Sequence, residues 1–414
     1  MIEQYNAVLK ILHSSISDAP LSLPSDTDWE SIYEILGRGK VLGITFRCIS
    51  ALPEEQRPAK ELLSIWQRHV FSRGFQQMIS NHELSNVLSA AKAKGLTPVV
   101  FKGIFLANLY PEPNMRFSSD CDIFIIAQDR QEMEQVLTKM NYIKNEEHSK
   151  EHVPVYQNLD KQHMLVVELH DCLWEDYTGH QMDLLDSLKL TAPETLIDAS
   201  CCNIPVTTLG YTEHLIYQIF HVAKHFAFDS LPLRYLIDLT LFINNFCDKL
   251  DLSRFWTAMD MLKYTRFCTS LFTICIKHLG MTQKILPAGY SLGEINESLL
   301  IDIMTLGNTF GHAIGHYAST EPIDPFFTRK NKIGTSEFSR VKARFFPTAD
   351  ELKEKYDYAQ KCRLLLPIAW IHRFVSAGIF VVDNSIRKRS TTAIWENADY
   401  RLRLLQELDM LDEK

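Results

Sequence analysis

At Thr97 the spacing of apolar residues changes, and that change limits the folds open to this chain more than any other feature. Before it, apolar residues recur at three- and four-residue intervals. Examples are Trp29-Glu30-Ser31-Ile32-Tyr33-Glu34-Ile35-Leu36 and the stretch from Leu62 to Leu96, and this is helix periodicity. Gly95 suits a helix C-cap, and Leu52-Pro53-Glu54-Glu55 reads as a loop leading into a helix start. After Thr97 come short, β-branched runs: Pro98-Val99-Val100-Phe101, Asp122 to Ile126, Tyr142 to Asn145, Val153 to Gln157 and Met164 to His170. Lys102-Gly103 turns the first run into a helical stretch from Ile104 to Leu109. A charged amphipathic helix, Asp129 to Asn141, follows the second. The expectation is a sheet of about four or five strands.

From Thr212 the helical spacing returns. Thr212 is placed to cap a helix from Glu213 to Phe228, with further helices expected near 232–246, 252–279, 293–316, 349–363 and 364–382. Pro322, Pro325 and Gly334 punctuate an irregular connection at 318–347, and there is no internal repeat. The reading is an α+β fold. A small mixed-sheet α/β core (96–210) is flanked by mainly helical N-terminal (1–95) and C-terminal (211–414) regions.

The hydrophobic fraction of 46% and charged fraction of 23% are those of an ordinary globular protein. A net charge of −8 disfavours extended nucleic acid as a partner, since that needs clustered phosphate-neutralising cations. The nine cysteines are scattered and include no CxxC, which fits buried thiols in a reducing compartment. Met1-Ile2-Glu3-Gln4 lacks the pattern of a secretory signal, so a cytoplasmic location is expected. Leu364 to Val382 is apolar enough to test as a membrane span. Pro367, His372 and Arg373 favour a buried helix there.

The chemistry centres on Arg116-Phe117-Ser118-Ser119-Asp120-Cys121-Asp122-Ile123. Strand residues two apart share a face, so the Asp120 and Asp122 carboxylates can reach one cation. A bare DxD reads more readily as a solvated strand start with two surface Asp residues, and it is the neighbours that shift the balance toward a metal site. Glu168 lies in an apolar strand, Val166-Val167-Glu168-Leu169-His170, where a carboxylate needs a partner. Hard oxygen ligands of this kind suit Mg²⁺ or Mn²⁺. His170 shares that face and reads as a supporting residue. Lys102 and Gly103 occupy a strand-to-helix turn where backbone N–H groups favour a phosphate. Arg116, with Ser118 and Ser119, could hold a triphosphate, or Arg116 could pair structurally with an acid.

The order Val100-Phe101-Lys102-Gly103, Leu109-Tyr110-Pro111, Arg116, Asp120-Cys121-Asp122-Ile123 and Glu168-Leu169-His170 resembles the uncharacterised nucleotidyltransferase family of the DNA polymerase β superfamily. Further similar elements are His221 and His225, Leu233-Arg234 with Asp238, and Arg344-Phe345-Phe346-Pro347-Thr348 with Leu352 and Tyr356, so the resemblance runs from about residue 25 to 375. It implies two-metal transfer of a nucleoside monophosphate from a nucleoside triphosphate donor, with Asp120, Asp122 and Glu168 as metal ligands. The acceptor is unidentified, with a small molecule favoured. The chain departs from better-known members in lacking a hydroxyl after the Lys102-Gly103 turn and in using Glu168 where Asp is frequent. A non-catalytic nucleotide-binding or regulatory, antitoxin-like protein on the same scaffold is the alternative.

His214, His221 and His225 share one helix face. His221 and His225 have i,i+4 metal spacing without the glutamate of an HExxH motif, so an acceptor-site or core stripe is preferred to zinc. Arg234 and Asp238 are spaced for a helix ion pair, with a role at the cleft as the second reading. Met259, Met261 and the aromatics from Leu262 to Phe272 read as core.

Overall fold

The computed structural model describes residues 2–305, apart from 18, 147, 150–151, 159, 161–163, 175–181 and 229–230, together with 357–361, 365–370 and 400–410. Four helices open the chain: α1 (Ile2–Ile16), α2 (Trp29–Arg38), α3 (Leu42–Ser50) and α4 (Lys60–Lys92). Asp28 caps α2 by accepting the Ser31 N–H. Gly95 ends the α4 region at φ +79, where the Leu96 N–H reaches back to the Ala91 carbonyl. That is the left-handed closure glycine allows.

Next come β1 (Val99–Phe101), α5 (Gly103–Ala107), β2 (Cys121–Phe124), α6 (Arg130–Lys139), β3 (Tyr142–Lys144), β4 (Val155–Asn158) and β5 (Val166–His170). A short helix α7 (Met182–Ser187) precedes β6 (Leu196–Cys201) and β7 (Ile204–Leu209). The sheet has 7 strands in the order β3-β4-β5-β2-β1-β7-β6, two more than the upper expectation. The β6–β7 hairpin was not foreseen because its turn, Cys202-Asn203, carries no glycine. Both residues nonetheless adopt positive φ (+51 and +64), the geometry of a two-residue hairpin turn. Pairing is mixed: β1 lies antiparallel to β2 and parallel to β7, while β2 and β5 run parallel. The α+β class is therefore correct.

Five further helices follow: α8 (Tyr211–Phe228), α9 (Leu233–Phe246), α10 (Leu252–Met261), α11 (Thr265–Leu279) and α12 (Glu297–Thr305). Thr212 is not the cap of α8. It sits inside the first turn and accepts the Asp251 N–H at 2.9 Å. The single helix expected over 252–279 is two, because Lys263 turns left-handed (φ +59) and the Tyr264 N–H closes on the Met259 carbonyl. Met261, read as core, is exposed, whereas Met259 is fully buried. The expected helices at 349–363 and 364–382 fall mostly outside the described residues, as do 318–347 and the Arg344-to-Tyr356 elements. Among the described residues no helix is long and apolar enough to cross a membrane.

Sheet and helical flanks share one contiguous buried core, from Tyr5 to Met410. Residues 400–407 are helical and fasten to α12 through the buried Arg401–Asp302 ion pair at 2.8 Å. Helix α4 does more than fill space, because its polar residues hold the strands that carry the acids. Glu83 is buried, and its Oε2 accepts the N–H groups of Met164 (3.0 Å) and Leu165 (2.7 Å) at the entry to β5. Gln77 Oε1 accepts the Ser118 N–H at 2.8 Å, just before β2. Hydrogen bonds to a buried charge contribute about 1.5–3 kcal/mol. Glu83→Ala is therefore expected to lower the unfolding free energy by about that amount in a urea titration. A change indistinguishable from zero would contradict the clamp.

Candidate functional site

The strand pairing builds the site. Asp122 on β2 stands directly opposite Glu168 on β5, so both side chains leave the same face about 4.8 Å apart. Two residues further along β5, His170 alternates onto that face too. Ligand atoms of Asp122, Glu168 and His170 all lie within 4.8 Å of one another. His170 Nε2 is 3.1 Å from Asp122 Oδ1 and 3.8 Å from Glu168 Oε2, and its Nδ1 is buried without a hydrogen-bond partner. Asp120 lies outside this tight group. The strand begins at Cys121, one residue later than the DxD reading has it, and Asp120 lies outside the strand, just after a bend at Ser119. There the Ser118 hydroxyl donates to its carbonyl at 3.0 Å.

Lys102 is the cation nearest the acids. Its Nζ is 2.7 Å from Asp122 Oδ1 and packs over the rings of Phe101 and Tyr217, 5.5 and 5.3 Å from their centroids. Its backbone sits at φ 56, ψ −121, a strained conformation for a side-chain-bearing residue. The N–H expected to be free for phosphate instead donates to His214 Nε2 at 3.1 Å. Burial opposes the Asp122 charge, but Lys102 and His170 outweigh it and hold its carboxyl below the usual carboxylate range. Glu168 goes the other way: burial first, then Asp122 and Asp120, push it up to about 7. Neighbouring carboxylates forced apart in this way indicate a site short of positive charge.

Arg116 is fully committed elsewhere. Its Nε and Nη2 bind Asp238 Oδ1 and Oδ2 at 2.7 and 2.8 Å, and its Nη1 donates to the Gly103 carbonyl at 3.1 Å. The Tyr110 hydroxyl donates to the same Asp238 Oδ1 at 2.7 Å. Of the two readings of Arg116, structural pairing is the one the geometry displays. The expected Arg234–Asp238 helix pair gives way to it: Arg234 Nη1 turns to the Phe117 carbonyl at 2.6 Å. A close approach assists, since a Cβ at Gly43 would run into the Met115 carbonyl oxygen.

A cavity of about 270 Å³ joins these parts. It is lined by Lys102, Gly103, Arg116, Ser118, Ser119, Asp120, Asp122, Glu168, His170, His221, His225, Arg234 and Asp238, whereas His214 is not part of the lining and holds the Lys102 backbone. Sequence reasoning missed Lys40, Tyr217, Lys224 and Tyr235, which line the same cavity. None belongs to a motif: Lys40 comes from the turn between α2 and α3, and Tyr217, Lys224 and Tyr235 come from α8 and α9. His221 Nε2 is 3.1 Å from the Tyr235 hydroxyl, and the His221 and His225 rings are 4.6 Å apart. Burial and then Lys102 keep His221 well below the ordinary imidazole range. No third ligand joins His221 and His225 among the described residues, as zinc would require. The two carboxylates fit a hard divalent cation, and the nitrogen of His170 widens that to Mn²⁺.

Two outcomes follow. Asp238→Ala strands the buried Arg116 and should lower stability by about 3–5 kcal/mol in urea unfolding, with part of the loss recovered when Arg116 is also made apolar. For Glu168, the proton is held more tightly in the folded chain than at the ordinary carboxyl value of 4.5. Its contribution is thus present below pH 4.5 and lost as pH rises through about 7. In metal-free buffer, Glu168→Gln should raise the Tm by about 1–3 °C at pH 8 and leave it nearly unchanged at pH 5. An equal loss at both pH values would contradict the charge crowding.

Comparison with curated proteins gives no match. Among solved structures, an antigenic nucleotidyltransferase-like protein from Paracoccidioides brasiliensis aligns with 14% identity and a TM-score of 0.31, over 49% of this chain and 92% of that one. The model of a family described as "Uncharacterised nucleotidyltransferase" matches residues 25–280, which takes in the sheet, the acids and helices α8 and α9. The further resemblance traced to about residue 375 lies beyond that match. With more than half of its length matched, the chain belongs to this uncharacterised nucleotidyltransferase family.

Proposed function

We propose that the protein transfers a nucleoside monophosphate from a nucleoside triphosphate to a small acceptor in a reaction that depends on Mg²⁺ or Mn²⁺. The observation that carries this reading is the Asp122–Glu168 pair, set side by side by strand register in the same cavity as Asp120 and Lys102. Asp122 and Glu168 would hold the cation, with Asp120 at the cavity edge as a further ligand. Bound there, the cation would stabilise charge on the α-phosphate and the leaving pyrophosphate. His170 orients Asp122 through Nε2. Arg116 keeps the Gly103 carbonyl, and with it the Lys102 turn, in place. Lys40, Lys224 and Arg234 line the wall where triphosphate oxygens would lie.

A bounded cavity and a net charge of −8 favour a small acceptor over extended nucleic acid. The eight cysteines among the described residues are unbridged, which suits a reducing, cytoplasmic setting. The non-catalytic alternative draws on the Lys102 ammonium, which sits against the carboxylate a cation would use.

Pyrophosphate release from the four common triphosphates separates the two readings. Turnover is expected in Mg²⁺ or Mn²⁺, with Asp122→Asn reducing it by on the order of 100-fold or more. Calorimetry should show Asp120→Ala and Asp122→Ala weakening cation binding. Unchanged cation and triphosphate binding in both variants would overturn the proposal.

A further inference from the structure

We infer that Lys102 is an exchangeable counter-ion, holding the cation position at Asp122 until a triphosphate draws it away, so that metal and nucleotide load cooperatively. This rests on the function proposed above and adds a loading order to it.

Around Lys102 the backbone is pinned on both sides: its own N–H by His214 Nε2, and the next carbonyl, that of Gly103, by Arg116 Nη1. Arg116 is in turn locked by both oxygens of Asp238. The turn cannot carry the ammonium elsewhere, so any movement must come from rotation of the four-carbon side chain. Its present partner is Asp122 Oδ1, at 2.7 Å, in a pair whose two side chains are 13% and 6% exposed. His170 Nε2 contacts the same oxygen at 3.1 Å. A divalent cation coordinated by that oxygen would meet the ammonium at close range in a poorly solvated site, where like charges repel strongly. The ammonium must then leave, and a departing buried cation needs a new anion.

Glu168 does not provide it, because the incoming cation would claim that carboxylate as well. Tyr217 and Phe101 offer ring faces but no full charge. A triphosphate in the same cavity supplies the missing anion. Metal alone thus displaces Lys102 without compensation. Triphosphate alone draws Lys102 off and leaves Asp122 without its lysine counter-ion. Together, the cation takes the place Lys102 leaves at Asp122 and the triphosphate gives the displaced ammonium an anion, which is a positive coupling between the two ligands.

The test uses the full-length chain and two substitutions, Lys102→Met and Lys102→Arg. Binding of Mn²⁺ alone is followed by electron paramagnetic resonance titration. Binding of α,β-methylene ATP, and of its GTP, CTP and UTP counterparts, is followed by calorimetry with and without Mn²⁺. Lys102→Met is expected to bind Mn²⁺ alone about tenfold more tightly than the wild type, yet to bind the triphosphate analogue more weakly. Lys102→Arg, which keeps the charge, should bind Mn²⁺ alone as the wild type does. Opposite signs for the two ligands mark the exchange, since damage to the fold would weaken both. Mn²⁺ binding by Lys102→Met that is no tighter than wild type overturns the inference while leaving the proposed function standing. Failure of the wild type to bind Mn²⁺ even with every analogue present overturns both.

Discussion

The bidentate pair between Arg116 and Asp238 is the interaction on which the rest of the site depends. Arg116 precedes the acidic strand, Asp238 belongs to α9, and the third Arg116 contact is the Gly103 carbonyl beside Lys102. Three separate stretches of chain are tied at one buried guanidinium. Its planar fork is why an arginine and not a lysine suits this place, since a point charge could not satisfy two oxygens and a carbonyl at fixed angles. A buried pair of this kind adds little net stability over apolar packing, but removing one partner is severe. Its contribution is register, because it fixes where the Lys102 turn stands relative to β2.

Upon that frame the sheet sets up an electrostatic conflict. Parallel pairing of β2 and β5 places Asp122 opposite Glu168, and the protein offsets only part of the resulting repulsion with Lys102 and His170. The remainder appears as the Glu168 carboxyl, pushed up to about 7 by burial and by its acidic neighbours. A chain selected for stability alone would separate such groups or replace them with apolar residues. Keeping them beside one another in a cavity is the pattern of a cation-binding site, and membership of a nucleotidyltransferase family gives that cation a chemical context.

Much of this could be read from the residues. Period and length identified β1 to β5, and the apolar setting of Glu168 marked it as a carboxylate in need of a partner. The order of short motifs carried the family resemblance, and Lys102, Arg116, Asp120, Asp122, Glu168 and His170 line one cavity. What escaped the sequence did so for physical reasons. The β6–β7 hairpin turns on Cys202-Asn203, whose positive φ values no glycine announces. Arg234 and Asp238 are spaced as a helix pair, yet a partner 122 residues distant takes the carboxylate. Glu83 and Gln77 on α4 position the acidic strands through backbone N–H groups, a role without a sequence signature. Asp120 looked like a strand residue because alternation counts from an assumed start, and β2 starts one residue later.

The central claim is that a divalent cation binds between the Asp122 and Glu168 carboxylates in the same cavity as a nucleoside triphosphate. Anomalous diffraction from crystals soaked in Mn²⁺ with a non-hydrolysable triphosphate analogue tests it most directly. The account predicts a Mn²⁺ peak within coordination distance of both carboxylates, about 2.0–2.3 Å, with phosphate oxygens completing the shell. A peak lodged between His221 and His225, with the two carboxylates still paired to Lys102 and His170, would contradict it.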